Sequence, residues 1–364
     1  MSSFLIGHRR STRIGLARWL RLSVAVDERA ARANAQRHHL RIPRKSVLMQ
    51  HQDCHVSVVI PVYNSASTLR GAVASALCQT LEQIEILIVD DASQDDSLAV
   101  ARELATSDNR VRVLTLSTNS GKSNAMNVAI SEARGAWIAV LDADDWYEPE
   151  RLATLVSVAE SRSVALAADN QYFHDAGADR IVRTAFPVTQ PVQSLNRQTF
   201  AIGSDPYADF DYGMLKPVVR AEFIRRTGLT YRENTRLSED FLYLVEFFAA
   251  GGTGVLVAEP LYHWIQSFGT LSRQWTTTGA GAWRYNFLAA LNAYDDVLSE
   301  LNAGRDRDLV HLLTTRMRAF KRLHHIDKIS RMRASGSSLT AVLSVAMRHP
   351  SIWPRLVHRV FRST

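Results

Sequence analysis

VSVVIPVYNSASTLRGAVASALCQTLEQIEILIVDD, residues 56–91, places two short apolar runs on either side of a longer stretch with a helical pattern. The runs at 56–63 and 84–90 are rich in Val and Ile, which is typical of strands that a parallel sheet buries on both faces. The segment between them, 65–79, has the periodicity of a helix. This stretch therefore predicts a strand-helix-strand unit.

The same alternation continues to residue 142. Further strands are predicted at 111–116 and 136–142, and further helices at 93–106 and 120–135. A Ser, Asp or Asn lies near the start of each helix, as expected of an N-cap. Because strand-helix-strand crossovers are right-handed, we expect an α/β fold with a doubly wound, mostly parallel sheet and helices on both faces.

Acidic residues follow two of the predicted strands at the point where each strand ends. Asp90 and Asp91 follow the second strand, and Asp142, Asp144 and Asp145 follow the fourth. Carboxylates this close repel one another unless a cation or hydrogen bonds compensate them. A turn in which Asp side chains bond to backbone amides would explain one such cluster. Two clusters at the ligand-binding edge of one sheet favour a binding site for a metal and its substrate.

Composition limits the class of protein. The 364 residues are 22% charged and 46% hydrophobic, as in soluble globular proteins. The apolar runs are shorter than the roughly 20 residues needed to span a bilayer, and Arg21 interrupts the N-terminal one, so no signal peptide is predicted. Two cysteines, Cys54 and Cys78, are too few for a disulfide framework or a cysteine zinc site, and we expect both to be reduced.

Charge is distributed unevenly along the chain. Residues 1–47 contain 11 Lys/Arg and 2 Asp/Glu, residues 305–364 contain 13 and 3, and the middle contains 19 and 31. Basic ends of this kind are attracted to an anionic membrane surface or to nucleic acid, although they are also compatible with a solvated tail. The segment 339–362 has the composition of a helix in a membrane interface, or of a terminal helix docked on the protein itself.

Two motifs are excluded and several later elements are predicted. NSGKSN at 119–124 resembles a P-loop, but Leu116 stands where that motif needs glycine, and no G-x-G-x-x-G follows the first strand. His324 and His325 are interpreted as surface residues. Residues 205–228 lack periodicity and are interpreted as a functional loop. The chain is predicted to be helical within 237–252, where Gly251 and Gly252 end the helix, and at 282–325, with a linker at 331–338.

VSVVIPVYNSASTLRGAVASALCQTLEQIEILIVDDASQDDS, GKSNAMNVAISEARGAWIAVLDADD and LSEDF together resemble the family 2 glycosyltransferases, which are inverting enzymes with the GT-A fold. The resemblance runs from about Val56 to Arg273. It implies a nucleotide-sugar donor, commonly a UDP-sugar, and a divalent metal, Mg²⁺ or Mn²⁺. Within the family, residues 168–187 and the C-terminal tail look most like bacterial exopolysaccharide enzymes of the succinoglycan type.

The resemblance assigns roles to particular residues. Those expected to bind the donor are Pro61, Tyr63, Asn64, Asp90, Asp91, Lys122, Asn124 and Asp142. Asp142 and Asp144 match the Asp-x-Asp motif, whose second aspartate usually holds the metal. Asp240 matches the catalytic base, with Glu239 beside it. The residues alone also allow Asp240 to be a helix cap, and a helix N-terminus would lower its pKa.

We expect the acceptor to bind at the 203–217 loop, through Tyr207, Phe210, Tyr212 and Lys216. The Gln-x-x-Arg-Trp motif of processive family members is absent, because SRQWT at 272–276 has these residues in another order. Transfer of a single sugar is therefore expected. The resemblance divides the chain into a basic extension (1–50), a GT-A domain (51–275) and a helical basic region (276–364) that is a candidate for membrane association.

The sequence thus predicts a metal-dependent, non-processive hexosyltransferase. It would move one sugar from a UDP-sugar, with UDP-glucose as the first candidate, to a lipid-linked oligosaccharide at the cytoplasmic face of the membrane. Contact with anionic lipid is expected, and nucleic acid is not expected as a partner. Two alternatives stay open: a catalytically inactive membrane- or nucleic-acid-binding protein on the same fold, and a Mg²⁺-dependent nucleotidyl or phosphoryl transferase.

Overall fold

The repeating pattern of residues 56–142 forms the parallel half of one sheet. A computed structural model of the protein describes residues 54–175, 180–187, 190–205, 210–233, 235, 237–265 and 287–349. The first four strands are β1 (Val56–Val62), β2 (Ile84–Asp90), β3 (Val111–Thr115) and β4 (Trp137–Val140). The helices between them are α1 (Leu69–Leu77), α2 (Ser97–Ser107) and α3 (Lys122–Glu132). The strands run parallel in the order β3-β2-β1-β4, which confirms the prediction.

Apolar residues of β1 face both sides of the sheet. Val58 and Ile60 belong to one buried cluster, together with residues of α1, and Val59 belongs to a second cluster with residues of α3. All three side chains are fully buried. Burial on both faces explains why the strand is apolar without alternation. The predicted helices on both faces are therefore confirmed.

The second half of the sheet is mixed. Its strands are β5 (Trp146–Tyr147), β6 (Leu166–Asp175), β7 (Arg180–Thr184), β8 (Val192–Leu195), β9 (Val218–Arg220) and β10 (Gly254–Ile265). The full order is β3-β2-β1-β4-β9-β6-β10-β5, with β7 on β6 and β8 on β10. β9 lies antiparallel between β4 and β6. The prediction that 205–228 is a loop is wrong for Val218–Arg220, because these three residues form the central strand β9.

The remaining helices are α4 (Arg151–Ser161), α5 (Arg197–Gly203), α6 (Ala221–Thr227), α7 (Glu239–Ala249), α8 (Phe287–Glu300), α9 (Arg307–Ala334) and α10 (Leu339–Arg348). α7 ends where the glycines predict, since Gly251 has a φ of +84°. The predicted linker at 331–338 is too long, because α9 continues to Ala334. Asp96 is the N-cap residue of α2, as the prediction requires, whereas Thr68 and Gly121 precede α1 and α3; none of the three makes a side-chain capping bond to a described residue.

α8 and α9 pack into the same apolar core as α7. The Tyr294 ring of α8 lies 5.6 Å from Phe241 of α7 and 5.4 Å from Phe320 of α9. These helices are therefore continuous with the α/β core. None of the helices in the described ranges is both long and apolar enough to cross a bilayer. The predicted basic extension at 1–50 and the segment 272–276 lie outside the described residues.

Candidate active site

Four charged side chains meet where the parallel strands end. Asp142 follows β4, Lys122 is the first residue of α3, Asp240 lies in the first turn of α7, and Lys216 precedes β9. The carboxyl ends of the strands and the starts of the following helices lie at one edge of such a sheet. Lys122 and Asp240, which are 118 positions apart, are thereby brought into contact.

Two lysines connect the two aspartates. The Lys122 Nζ lies 2.8 Å from Asp142 Oδ1 and 3.0 Å from Asp240 Oδ2. The Lys216 Nζ lies 2.7 Å from Asp142 Oδ2 and 2.7 Å from Asp240 Oδ2. We call Lys122, Asp142, Lys216 and Asp240 the charged quartet. Its two positive and two negative charges balance, which compensates for taking them out of water.

The lysines keep both aspartates ionised. Burial alone would raise the pKa of Asp142 and Asp240, but the ammonium groups of Lys122 and Lys216 outweigh burial and lower both values. Burial would lower the pKa of each lysine, yet the carboxylates raise both. All four groups are therefore charged at neutral pH.

Asp240 is held by side chains and does not cap a helix. α7 begins at Glu239, and the preceding Ser238 has a φ of +67° and makes no side-chain capping bond. Asp240 Oδ2 instead accepts from both lysines, whereas Asp240 Oδ1 is buried and has no hydrogen-bond partner among the described residues. Burial raises the pKa of the neighbouring Glu239, and the Asp240 charge adds to the rise.

The three aspartates of the Asp-x-Asp turn have different surroundings. Asp145 is structural: its Oδ2 accepts from the Tyr262 hydroxyl at 2.6 Å and its Oδ1 from the Ile265 amide at 2.9 Å. Asp142 is engaged by the quartet. Asp144 receives no ion pair from the described residues, and burial together with the charge of Asp142 raises its pKa to about 6. Asp144 is therefore the aspartate of this turn that neither a lysine nor another side chain of the described residues holds.

These residues fit a divalent metal. Mg²⁺ in phosphate-transfer sites is commonly held by one or two carboxylates, with substrate phosphates and water completing the shell. Within the described ranges no three His, Cys, Asp or Glu side chains form a metal cluster, and such a site does not need three. A cation at Asp144 would also offset the repulsion from Asp142 that raises its pKa.

Asp90 and Asp91 also differ in their hydrogen-bond partners. Asp91 Oδ1 accepts from the Ser120 amide at 2.7 Å and Oδ2 from the Gly121 amide at 2.8 Å. Both oxygens are thus used to hold the start of α3, which carries Lys122. Asp90 Oδ2 accepts from the Ser93 amide at 3.2 Å, but its Oδ1 is buried and has no hydrogen-bond partner within the described ranges. Asp90 therefore has an acceptor available for a ligand.

The loop after β1 is pinned to the loop after β2. Asn64 has a φ of +52°, its amide donates to Ser93 Oγ at 3.0 Å, and its Oδ1 accepts from the Gln94 amide at 2.7 Å. Pro61 pairs with Val89 within the sheet, and the adjacent Tyr63 is half-buried. Asn124 is half-buried in the first turn of α3. The predicted donor-binding residues thus lie along the edge formed by β1, β2 and α3.

The predicted acceptor residues do not form one cluster. Tyr207 lies outside the described residues. Phe210 is buried, with its ring 5.2 Å from Phe186, and the half-buried Tyr212 ring lies 5.4 Å from the same Phe186. Lys216 is only 8% exposed and is itself a member of the charged quartet. Phe210 and Tyr212 therefore pack around the same ring, whereas Lys216 contacts the two aspartates of the charged quartet.

Sequence reasoning missed a buried arginine behind this site. Arg316 of α9 donates to Asp211 Oδ2 and, through Nε, to the Tyr294 hydroxyl at 3.1 Å. Its guanidinium carbon lies 3.9 Å from the centre of the Phe241 ring. Asp211 Oδ1 in turn accepts from the Gly213 amide at 2.8 Å. Arg316 thus connects α9 to the segment before Lys216 and to the start of α7.

Comparisons with known proteins agree with this geometry. Residues 57–214 match the sequence model described as glycosyl transferase family 2. The succinoglycan biosynthesis protein ExoO of Rhizobium meliloti (strain 1021) is 28% identical over 315 residues, 82% of this chain and 84% of that protein. The succinoglycan biosynthesis protein ExoU of the same organism is 36% identical over 191 residues, 51% of this chain and 54% of ExoU.

A solved structure supports the fold. The crystal structure of S. aureus TarS 1-349 in complex with UDP superposes with a TM-score of 0.55 at 16% identity, over 74% of this chain and 73% of that one. At this identity the likeness concerns the fold alone. The fold is therefore the GT-A fold, and residues 57–214 are similar in sequence to glycosyl transferase family 2.

Proposed function

We propose that this protein is an inverting, non-processive glycosyltransferase of exopolysaccharide biosynthesis. It moves one sugar from a UDP-sugar to a lipid-linked saccharide. The observation that carries the proposal is the contact, through shared lysines, between Asp142 of the Asp-x-Asp turn and Asp240 of the Ser-Glu-Asp sequence. This contact supports a metal-diphosphate site beside a candidate base, the arrangement that an in-line displacement at the anomeric carbon requires. The ExoO and ExoU relatives support the biosynthetic context.

The candidate base is Asp240, through its Oδ1. An acceptor hydroxyl must lose its proton as it attacks, and a positioned carboxylate can take that proton. Oδ2 is occupied by the two lysines, whereas Oδ1 has no partner in the part of the chain that the structure describes. The ammonium groups lower the pKa of Asp240, which weakens it as a base but keeps it ionised. The neighbouring Glu239 would help to shape the field around it.

The donor diphosphate would lie between Asp144 and the lysines. Asp144, with Asp142, would hold Mg²⁺ or Mn²⁺, which when bound offsets the charge that develops on the leaving diphosphate. The two ammonium groups of the quartet would also help to offset the negative charge on the leaving diphosphate. Asp90 Oδ1, a buried acceptor to which no described residue donates, is suited to a hydroxyl or N–H of the nucleoside. Pro61, Tyr63, Asn64 and Asn124 would line the same edge.

The acceptor saccharide would bind beside Tyr212. Its half-buried ring is supported by Phe186 and by the buried Phe210, and an aromatic face supported in this way can pack against a sugar. A lipid-linked acceptor and a UDP-sugar donor would meet at the cytoplasmic face of the cell membrane. We therefore place the enzyme there as a peripheral protein.

Product analysis tests the reaction class. The protein is incubated with UDP-glucose, Mn²⁺ and membrane lipid extract, and the nucleotide product is separated by chromatography. Glycosyl transfer releases UDP. Release of UMP, which accompanies transfer of the sugar phosphate, or of glucose 1-phosphate, which accompanies transfer of the uridylyl group, would instead support the phosphoryl or nucleotidyl transferase. Turnover that is unchanged by Asp144→Asn would contradict the proposal. Binding to membranes or nucleic acid without any turnover of nucleotide sugars would favour an inactive binding protein.

A further inference from the structure

The helix α10 leaves apolar side chains uncovered. It packs on α9 through Val342 and Ala346, which contact the cluster that contains Ile329. Leu343 is 52% exposed and Met347 is 69% exposed. Because these two residues are four positions apart, they lie side by side on one face of α10. This face therefore carries an apolar pair that the described part of the chain does not cover.

Two elements, β7 and α10, each carry two exposed large hydrophobic side chains. The exposed large hydrophobic side chains in the described chain are Ile181, Val182, Ile202, Leu343 and Met347. Single exposed apolar residues are normal on protein surfaces, so the pair alone does not define a partner. The charge of the helix beneath α10 provides a second, independent observation.

The surface of α9 is basic. Residues 307–349 contain nine Lys/Arg and two Asp/Glu. Arg316 and Arg331 are engaged with Asp211 and Asp327, whereas Arg318, Lys321, Arg322 and Lys328 are exposed and form no ion pair with the described residues. At 3.6 residues per turn these four lie within a sector about 120° wide, opposite the side of α9 that carries the buried Leu313, Arg316 and Phe320. We call these four residues the basic stripe.

We infer that the basic stripe and the Leu343–Met347 pair form one surface that binds an anionic lipid bilayer. The cations would contact lipid phosphates, and the two apolar side chains would enter the interfacial region. A polyanion such as nucleic acid would match the stripe but would leave Leu343 and Met347 in water. An apolar protein partner would match the pair but would leave the stripe without counter-charges.

The inference deepens the proposed function, since a lipid-linked acceptor is reached at a bilayer. It extends the expectation from basic chain ends to a defined face of two helices. It also gives the C-terminal region a role besides packing, because the stripe lies on the side of α9 opposite to the face that holds Arg316. The surface can therefore be altered without touching the quartet.

Vesicle flotation tests the inference on the full chain. The vesicles contain phosphatidylcholine, either alone or mixed with phosphatidylglycerol. We expect the wild type to float with the mixed vesicles and to dissociate at high salt. Lys321→Glu/Arg322→Glu/Lys328→Glu should bind about a hundredfold more weakly, and Leu343→Ser/Met347→Ser about tenfold more weakly.

Matched controls change equally exposed residues elsewhere. Ile202→Ser removes a side chain that is 76% exposed, and Arg102→Glu/Arg225→Glu reverses two exposed charges outside α9. Both controls should float like the wild type. Residues 1–50 are identical in all variants, so a loss of flotation cannot come from them. Circular dichroism of each variant establishes that it is folded.

The outcomes separate the two proposals. The inference would be overturned if the wild type failed to float, or if the α9 and α10 variants floated as well as the wild type. Flotation of the wild type that is equal with and without phosphatidylglycerol would also overturn it, because the charges would then be irrelevant. Nucleotide-sugar binding is measured separately: a wild type that floats but binds no nucleotide sugar keeps the inference and contradicts the proposed function.

Discussion

The charged quartet places two cations where each serves two carboxylates. Lys216 Nζ contacts Asp142 and Asp240 at the same distance, 2.7 Å. Removal of one partner from a buried ion network is expected to be costly, because it leaves a carboxylate without compensation. The effect of replacing either lysine of the quartet should therefore extend to both the metal side and the base side of the site.

The first prediction concerns Lys216. Lys216→Met should lower kcat/KM for UDP-sugar hydrolysis by about 10²–10³-fold, because a fixed donor in the active site is lost. The pKa of Asp240 should rise, since a cation that lowers it is gone, and the acid limb of the pH profile should move to higher pH. Lys328→Met, on the exposed side of α9, serves as the control and should behave like the wild type. Equal kinetics of the two variants would count against a role for Lys216.

The second prediction concerns the base. Asp240→Asn keeps the size of the side chain but cannot accept the acceptor proton, so turnover should fall by about 10²–10⁴-fold. The affinity for UDP with Mn²⁺ should change little, because Asp240 does not contact the nucleotide in the proposed site. Calorimetry and a turnover assay on the same preparation provide the two values. Retained turnover would exclude Asp240 as the base.

The third prediction concerns pH. Asp144 has a pKa raised to about 6, so its carboxyl group is protonated below that pH, and a metal ligand must be ionised. UDP affinity in the presence of Mn²⁺ should therefore fall as pH decreases from about 7 to about 5. UDP affinity in EDTA should show no such decrease, and neither should Asp144→Asn. A Mn²⁺-dependent affinity that stays constant over this range would contradict the assignment of Asp144.

Part of the site could be predicted from sequence. The positions of Asp90 and Asp142 follow from where buried strands end, and their proximity follows from a parallel sheet. The sequence does not predict which aspartate of each acidic pair is held by the protein itself, because that depends on the positions of backbone amides. Asp91 is occupied by Ser120 and Gly121, and Asp145 by Ile265. Lys216 was predicted to bind the acceptor, and its pairing with two carboxylates depends on the position of β9.

At the scale of elements, α9 supports the segments that carry Asp240 and Lys216. Arg316 is almost fully buried against Asp211, Tyr294 and Phe241. Arg316→Met should reduce the free energy of unfolding by about 3–5 kcal/mol, because Asp211 then keeps a buried charge without a partner. Denaturant unfolding measures this change.

Arg318→Met is the matched control for Arg316. It removes an exposed arginine two residues along the same helix and should change the free energy of unfolding by no more than about 0.5 kcal/mol. If the two variants are equally stable, α9 does not hold the site in the way described. If Asp211→Asn restores stability to Arg316→Met, the unpaired charge is confirmed as the cause.

The predictability of elements depended on their length and burial. β1, β2 and β4 are recognisable because burial on both faces makes them continuously apolar. β9 is only three residues long and runs directly into α6, so it shows no periodicity. The buried Arg316 could not be distinguished from its exposed neighbours, because a basic segment does not indicate which cation faces inwards. Only the packing of α8 and α9 on α7 determines that.

At the scale of the whole molecule, charge separates two tasks. The α/β part is acidic and gathers its carboxylates at the ligand-binding edge of the sheet, whereas α9 and α10 are basic and carry the exposed apolar pair. An acidic edge suits a metal and a nucleotide, and a basic face suits an anionic bilayer. The two surfaces use different residues, so substitutions in one should leave binding at the other unchanged.

The most direct test of the central claim is donor binding by calorimetry. UDP-glucose and UDP are each titrated with Mn²⁺ and with EDTA into the wild type and into Asp144→Asn. We predict binding to the wild type with Mn²⁺, and its loss both in EDTA and in Asp144→Asn. Binding that is independent of the metal and of Asp144, or no binding of either ligand under any of these conditions, would contradict the account of the acidic edge as a metal-dependent UDP-sugar site.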